Sequence, residues 1–128
     1  MPITVERIDF ISVPTQDVDR SRRFYVETLG LPFERETPVG FEVAAGQVTL
    51  GVWNPASAGL PFVPTLNPPA LRVPDVDAAR AELEAAGVAF TGDTIDTGVC
   101  HMAFLHDPDG NAIMLHRRYA PVTGPAPA

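Results

Sequence analysis

One phrase occurs twice in this chain, and that repeat limits its fold more than any other feature. Asp17-Val18-Asp19 leads through a helical stretch to Leu29-Gly30-Leu31-Pro32-Phe33, and Asp75-Val76-Asp77 leads in the same way to Ala86-Gly87-Val88-Ala89-Phe90. The offset is 58 at the Asp-Val-Asp step (17 to 75) and 57 at the glycine (30 to 87), so the second helix is one residue shorter. A period this long marks a duplicated supersecondary unit, and each half alone is too small to bury a good core. The expectation is a single domain over 1–128, with module one at about 5–54, a linker at about 54–69, module two at about 69–118 and a flexible tail at 120–128.

Each half follows one grammar. An apolar-rich run, residues 8–13 in the first half and 70–73 in the second, suits a strand with unequal faces. Asp17 and Asp75 then offer N-cap carboxylates, and Gly30 and Gly87 close the helices as C-cap glycines. Between them Val18, Ser21, Tyr25 and Leu29 form one stripe, answered by Val76, Ala79, Leu83 and Ala86 in the second half. Short strand candidates follow at residues 33–36, 41–44 and 48–53, then at 89–92, 99–105 and 112–117. Each half therefore reads β-α-β-β-β, an α+β fold of two tandem modules forming a curved mixed sheet, a cup with its helices outside. His106-Asp107-Pro108-Asp109-Gly110-Asn111 reads as a tight turn that makes the last two strands a hairpin. Five prolines between Asn54 and Pro69 predict an extended, non-helical linker.

Composition excludes several functions. The formal net charge is −7, and no run of Lys or Arg could neutralise a phosphate backbone, so no nucleic-acid partner is expected. No apolar stretch approaches the ~20 residues that span a bilayer, and charges soon follow Met1-Pro2-Ile3-Thr4 where a signal peptide would be apolar. A single cysteine, Cys100, rules out an internal disulfide framework and reads as a buried thiol. A cytoplasmic protein is the expectation.

The paired modules, the phrase from Asp9-Phe10-Ile11-Ser12-Val13 through Arg20-Ser21-Arg22-Arg23-Phe24-Tyr25, then Leu29-Gly30-Leu31, and the closing Phe104-Leu105-His106-Asp107-Pro108-Asp109-Gly110-Asn111 resemble the vicinal oxygen chelate superfamily, the glyoxalase and bleomycin-resistance fold. The resemblance covers about residues 5–119. It implies a cup built from both modules and, in metal-using members, a His, Gln or Glu on the first strand of each module plus a Glu near each module's end. The repeat offset maps the first-strand positions to Phe10 and Pro68. The last-strand position is Met114 in Ile113-Met114-Leu115, and its first-half counterpart lies near Leu50. Catalytic metal sites want carboxylate and imidazole donors, so no metal and no cofactor are expected. A relocated site could use His101 and His116, which face each other if the hairpin pairs His106 with Asn111.

Strand alternation gives the lining. If Phe10 faces the cup, so do Ser12 and Pro14, then Ala70 and Arg72 in the second half, and Ala112, Met114 and His116 on the last strand. The ligand-binding candidates are Phe10, Ser12, Trp53, Ala70, Arg72, His101, Met114 and His116, an apolar pocket with a few polar anchors. His116 and Glu42 are the acid-base candidates, Arg72 the anchor for an oxyanion. Phe41 is an aromatic candidate for stacking or for the core. Three readings follow: a metal-independent protein that binds a small organic, aromatic or carbonyl-bearing molecule, as in drug sequestration; a metal-free isomerase, cyclase or lyase; and a metal-dependent lyase or dioxygenase. A homodimer is expected, with small molecules as ligands and no membrane partner.

Overall fold

The computed structural model describes residues 2–121, and the flexible tail expected at 120–128 falls largely on residues 122–128, outside them. The elements run β1 (Phe10–Pro14), α1 (Val18–Arg22) continued by a π-helical turn (Arg23–Thr28), β2 (Phe33–Thr37), β3 (Gly40–Ala45), β4 (Val48–Trp53), a 3-10 turn (Pro55–Ala58), β5 (Ala70–Arg72), α2 (Val76–Ala85), β6 (Phe90–Asp96), β7 (Cys100–His106) and β8 (Ala112–Arg118). The chain has an α+β fold made of two tandem modules. Each contributes a four-stranded mixed sheet, ordered β1-β4-β3-β2 in the first and β5-β8-β7-β6 in the second, with one parallel pair, β1 with β4 and β5 with β8.

Two compact units emerge from the contacts. The first runs to Leu66 and includes Asp107–Asn111; the second comprises Asn67–His106 and resumes at Ala112.

In the first unit the sheet's two faces differ sharply. Val13, Phe41, Val43, Leu50 and Val52 alternate onto one face and are all at most 3% exposed. Phe24 and Tyr25 are buried too, their rings meeting edge to face at 5.3 Å. Each such side chain withdrawn from water contributes about 1.5–3 kcal/mol, so this layer carries the unit. The same logic holds in the second sheet, where Ala103, Leu105, Ile113 and Leu115 are buried on one face and Val76 of α2 is 1% exposed.

The one-residue difference between the two helices has a direct structural counterpart. Asp75 caps α2, its side chain accepting from Ala78 N at 3.0 Å, and α2 continues as a regular α-helix. Asp17 caps α1 in the same way, accepting from Arg20 N at 3.1 Å, but α1 then widens, with Leu29 N donating to Phe24 O at 2.8 Å. An i→i+5 bond takes up one residue more than the i→i+4 bond of an α-helix. The slip from 58 to 57 is therefore absorbed inside a helix, whose expected single α-helical stripe is replaced by a wider turn with adjacent Phe24 and Tyr25 both inward.

The linker also departs from expectation. It is not wholly non-helical, because Asn54 caps a 3-10 turn whose first position is Pro55, where a proline costs no hydrogen bond.

Candidate functional site

On the pocket side of the first sheet, register places Phe10, Ser12 and Pro14 beside Thr49, Gly51 and Trp53, with Glu42 and Gly40 next in line on β3. Here the sheet supports a pocket of about 230 Å³, bordered by Phe10, Ser12, Gly51 and Trp53, by Glu42 and Thr37, and by Val39 at its rim. The floor is aromatic. A Cβ placed on Gly51 would come within 3.4 Å of Phe10 Cδ2, so the Phe10 ring lies across a strand position that has no side chain. Phe10 is still 54% exposed, an unusual state for a phenylalanine.

Glu42 is the one ionisable side chain bordering this pocket. It lies beside Arg35 across β2 and β3, and its Oε1 accepts from Arg35 Nε at 2.6 Å. That carboxylate raises the Arg35 guanidinium above its ordinary range, chiefly through the hydrogen bond. Phe41 turns to the helix face at 0% exposure, with the Arg22 guanidinium 5.6 Å from its ring centroid, so it is core and not a stacking platform.

In the second sheet Ala70 pairs with Met114 and Arg72 with His116, so all four share a face with Met102 and Phe104. Two further expectations change here. β7 and β8 pair with His106 opposite Ala112, which puts His101 opposite Arg117 and His116 opposite Met102. The turn is one residue longer than assumed, and a one-residue shift reverses the face of every side chain on the strand. His101 and His116 thus lie on opposite faces and cannot share a metal. His101 instead sits 3.3 Å from Asp96 and stacks on Tyr119, in a separate surface recess with Arg117. Gly98 N–H, then the Tyr119 hydroxyl and His101, hold the Asp96 carboxyl below its ordinary range.

The second change concerns the mapped metal positions. Ser12 pairs with Gly51 as Ala70, 58 residues on, pairs with Met114, so the counterpart of Met114 is Gly51. Leu50 points the other way and is 1% exposed. Phe10, Gly51, Pro68 and Met114 present no carboxylate or imidazole, and no group of three His, Cys, Asp or Glu among the described residues could hold a metal ion. These positions do not fit the donor set of a catalytic divalent metal.

The turn from Asp107 to Asn111 forms a buried polar core where the sequence pattern predicts only a turn. The Asp107 carboxylate accepts from Tyr25 Oη at 2.7 Å, from Asn111 Nδ2 at 2.7 Å, and from the backbone N–H groups of Asp109 and Asn111, each at 2.9 Å. Asn111 also donates to Pro14 O at the end of β1, and Asp109 accepts from Thr15 Oγ1 at 2.6 Å. Burial first, and Asp107 second, push the Tyr25 hydroxyl far above its ordinary range. The signal for this cluster was present in the sequence as Asp-Pro-Asp-Gly-Asn, but its partners Tyr25 and Thr15 lie more than eighty residues away.

Residues 7–115 match the model of the Glyoxalase/Bleomycin resistance protein/Dioxygenase superfamily. The chain belongs to this superfamily. Among solved structures it is similar to TnmS3, an antibiotic binding protein from Streptomyces sp. CB03234, at 30% identity and TM-score 0.77, covering 91% of this chain and 99% of that one. A glyoxalase/bleomycin resistance protein from the same organism is 31% identical with TM-score 0.70, covering 87% of this chain and 100% of the other. An uncharacterized protein of Mycolicibacterium smegmatis is 28% identical over 110 residues, 85% of this chain and 91% of its own length.

Proposed function

We propose that this glyoxalase-superfamily protein binds a small aromatic molecule and sequesters it unchanged, without a metal. The observation that carries the reading is the Phe10 ring lying over Gly51 where a metal-using relative needs ligands. An exposed ring, a bare strand position and Trp53 make a surface suited to stacking a flat molecule. Pockets that enclose drug-sized ligands usually measure about 300–1,000 Å³, so about 230 Å³ suits one ring system of a larger compound. Similarity to an antibiotic binding protein supports the same reading.

Trp53 is the sole tryptophan and reports on the pocket directly. Titration with a panel of aromatic antibiotics should shift its fluorescence, and mass spectrometry should recover the bound compound unaltered. Recovery of a chemically changed compound contradicts sequestration.

A second reading draws on the pairing of Arg72 with His116 on one face. A guanidinium anchors an oxyanion and an imidazole moves a proton near neutral pH, which would suit a metal-free isomerase, cyclase or lyase. Turnover that survives His116→Ala removes that assignment. Elemental analysis of protein purified without chelators tests the metal: bound divalent ion in stoichiometric amount contradicts the proposal.

A further inference from the structure

We propose that the pocket on the first sheet selects aromatic ligands that carry a positive charge, and that Glu42 is the selecting residue; this rests on the aromatic-pocket reading above. Three observations converge on it. Glu42 is the single ionisable residue bordering the pocket, and its side chain keeps only 19% exposure on the central strand β3. One of its oxygens, Oε1, accepts the Arg35 Nε, and among the described residues no hydrogen bond engages Oε2. On its other side the register neighbour is Gly51, over which the Phe10 ring lies, so an aromatic ring and not a polar side chain adjoins the carboxylate there.

An ionised carboxylate offers about four lone-pair positions, so a single guanidinium N–H leaves it with acceptor capacity to spare. A protonated amine placed there gains a charge-assisted hydrogen bond. Phe10 and Trp53 border the same pocket, and the π faces of aromatic rings attract cations and not anions. Arg35 competes only weakly, because 70% of its side chain is exposed and solvent screens it. A ligand carboxylate at the same place meets a like charge in a half-buried setting, where repulsion is screened less than at the surface. The ligand class is an aromatic amine or an aromatic ring bearing a protonated alkylamine.

The test uses three probes of one shape, 4-phenylbenzylamine, 4-biphenylmethanol and biphenyl-4-carboxylate, titrated into the full chain at pH 7 while Trp53 fluorescence is followed. The amine should bind about tenfold tighter than the carboxylate, with the neutral alcohol between them. In Glu42→Gln the amine-to-carboxylate ratio should fall to about one while the alcohol keeps its affinity within about twofold. In Arg35→Gln, an exposed change that spares the fold, the ratio should rise. Equal binding of all three probes by the unaltered protein, or an undiminished ratio in Glu42→Gln, overturns the charge selection and leaves the aromatic pocket standing. No binding of any probe overturns both.

Discussion

Asp107 ties the turn before the last strand to Tyr25 in the first helix. The residue is 5% exposed and its carboxylate takes four hydrogen bonds, so Asp107→Ala would leave the Tyr25 hydroxyl and the Asn111 backbone N–H without their acceptor in the interior. Leaving buried polar groups unpaired costs about 1–3 kcal/mol each, and urea unfolding should show a loss of about 3–5 kcal/mol for Asp107→Ala. Tyr25→Phe removes one partner and should lose about 1–2 kcal/mol. The raised Tyr25 pKa also fixes a pH dependence. In the unfolded chain the hydroxyl ionises near its ordinary 10.0, while in the folded protein it stays protonated well beyond that. The stabilisation is complete below pH 10 and is lost as pH rises further, by about 1.4 kcal/mol per pH unit. Tyr25→Phe should flatten that decline relative to the unaltered protein; an unchanged slope would show that Tyr25 is not the group responsible. At this scale the sequence was legible where chemistry is local. Asp17 and Asp75 were readable as caps because a cap needs only its own next turn, whereas the roles of Asp107 and Asp109 depend on Tyr25 and Thr15 at the far end of the chain.

Among the elements, the π-helical turn after α1 is the informative one. It houses the residue that makes the first repeat longer, so removing one exposed residue there, Glu27, should let the helix close as a regular α-helix. We expect that deletion to leave a cooperatively folding protein, while deletion of Glu82 rotates the Leu83 side of α2 by about 100° and should abolish cooperative unfolding. Circular dichroism melts of the two deletions decide it: equal damage in both contradicts the assignment. The strands themselves were readable from alternation, since Val13, Ile113 and Leu115 are all buried on the helix face. What alternation could not supply was the length of the β7–β8 turn. Asp107 N donates to Asn111 O at 2.9 Å, making a five-residue connection, and that one extra residue moves His101 to the face opposite His116. The same limit applies to Leu50, where a position one residue from Gly51 faces the core instead of the pocket.

For the whole molecule, the duplication explains both what is kept and what is lost. Two modules with one strand order each preserve the superfamily's framework, while Phe10, Gly51, Pro68 and Met114, the positions to which the resemblance maps metal ligands, carry no carboxylate or imidazole. No helix among the described residues is long and apolar enough to cross a membrane. Large apolar side chains remain exposed near the chain's start, Ile3 at 84%, Val5 at 71% and Ile8 at 62%. Surfaces of that kind mark association, and we propose a homodimer; light scattering should give twice the 13.7 kDa chain mass, and a monomer mass would contradict it. The central claim, ligand binding on the Phe10–Gly51 floor without a metal, is tested most directly by calorimetric titration of an aromatic ligand in excess chelator, with the unaltered protein beside Gly51→Leu. A leucine there would occupy the space beneath the Phe10 ring, and circular dichroism confirms that the variant is folded before its titration is compared. The account predicts chelator-insensitive binding that weakens at least about tenfold in Gly51→Leu. Binding abolished by chelator, or undiminished in a folded Gly51→Leu protein, would contradict it.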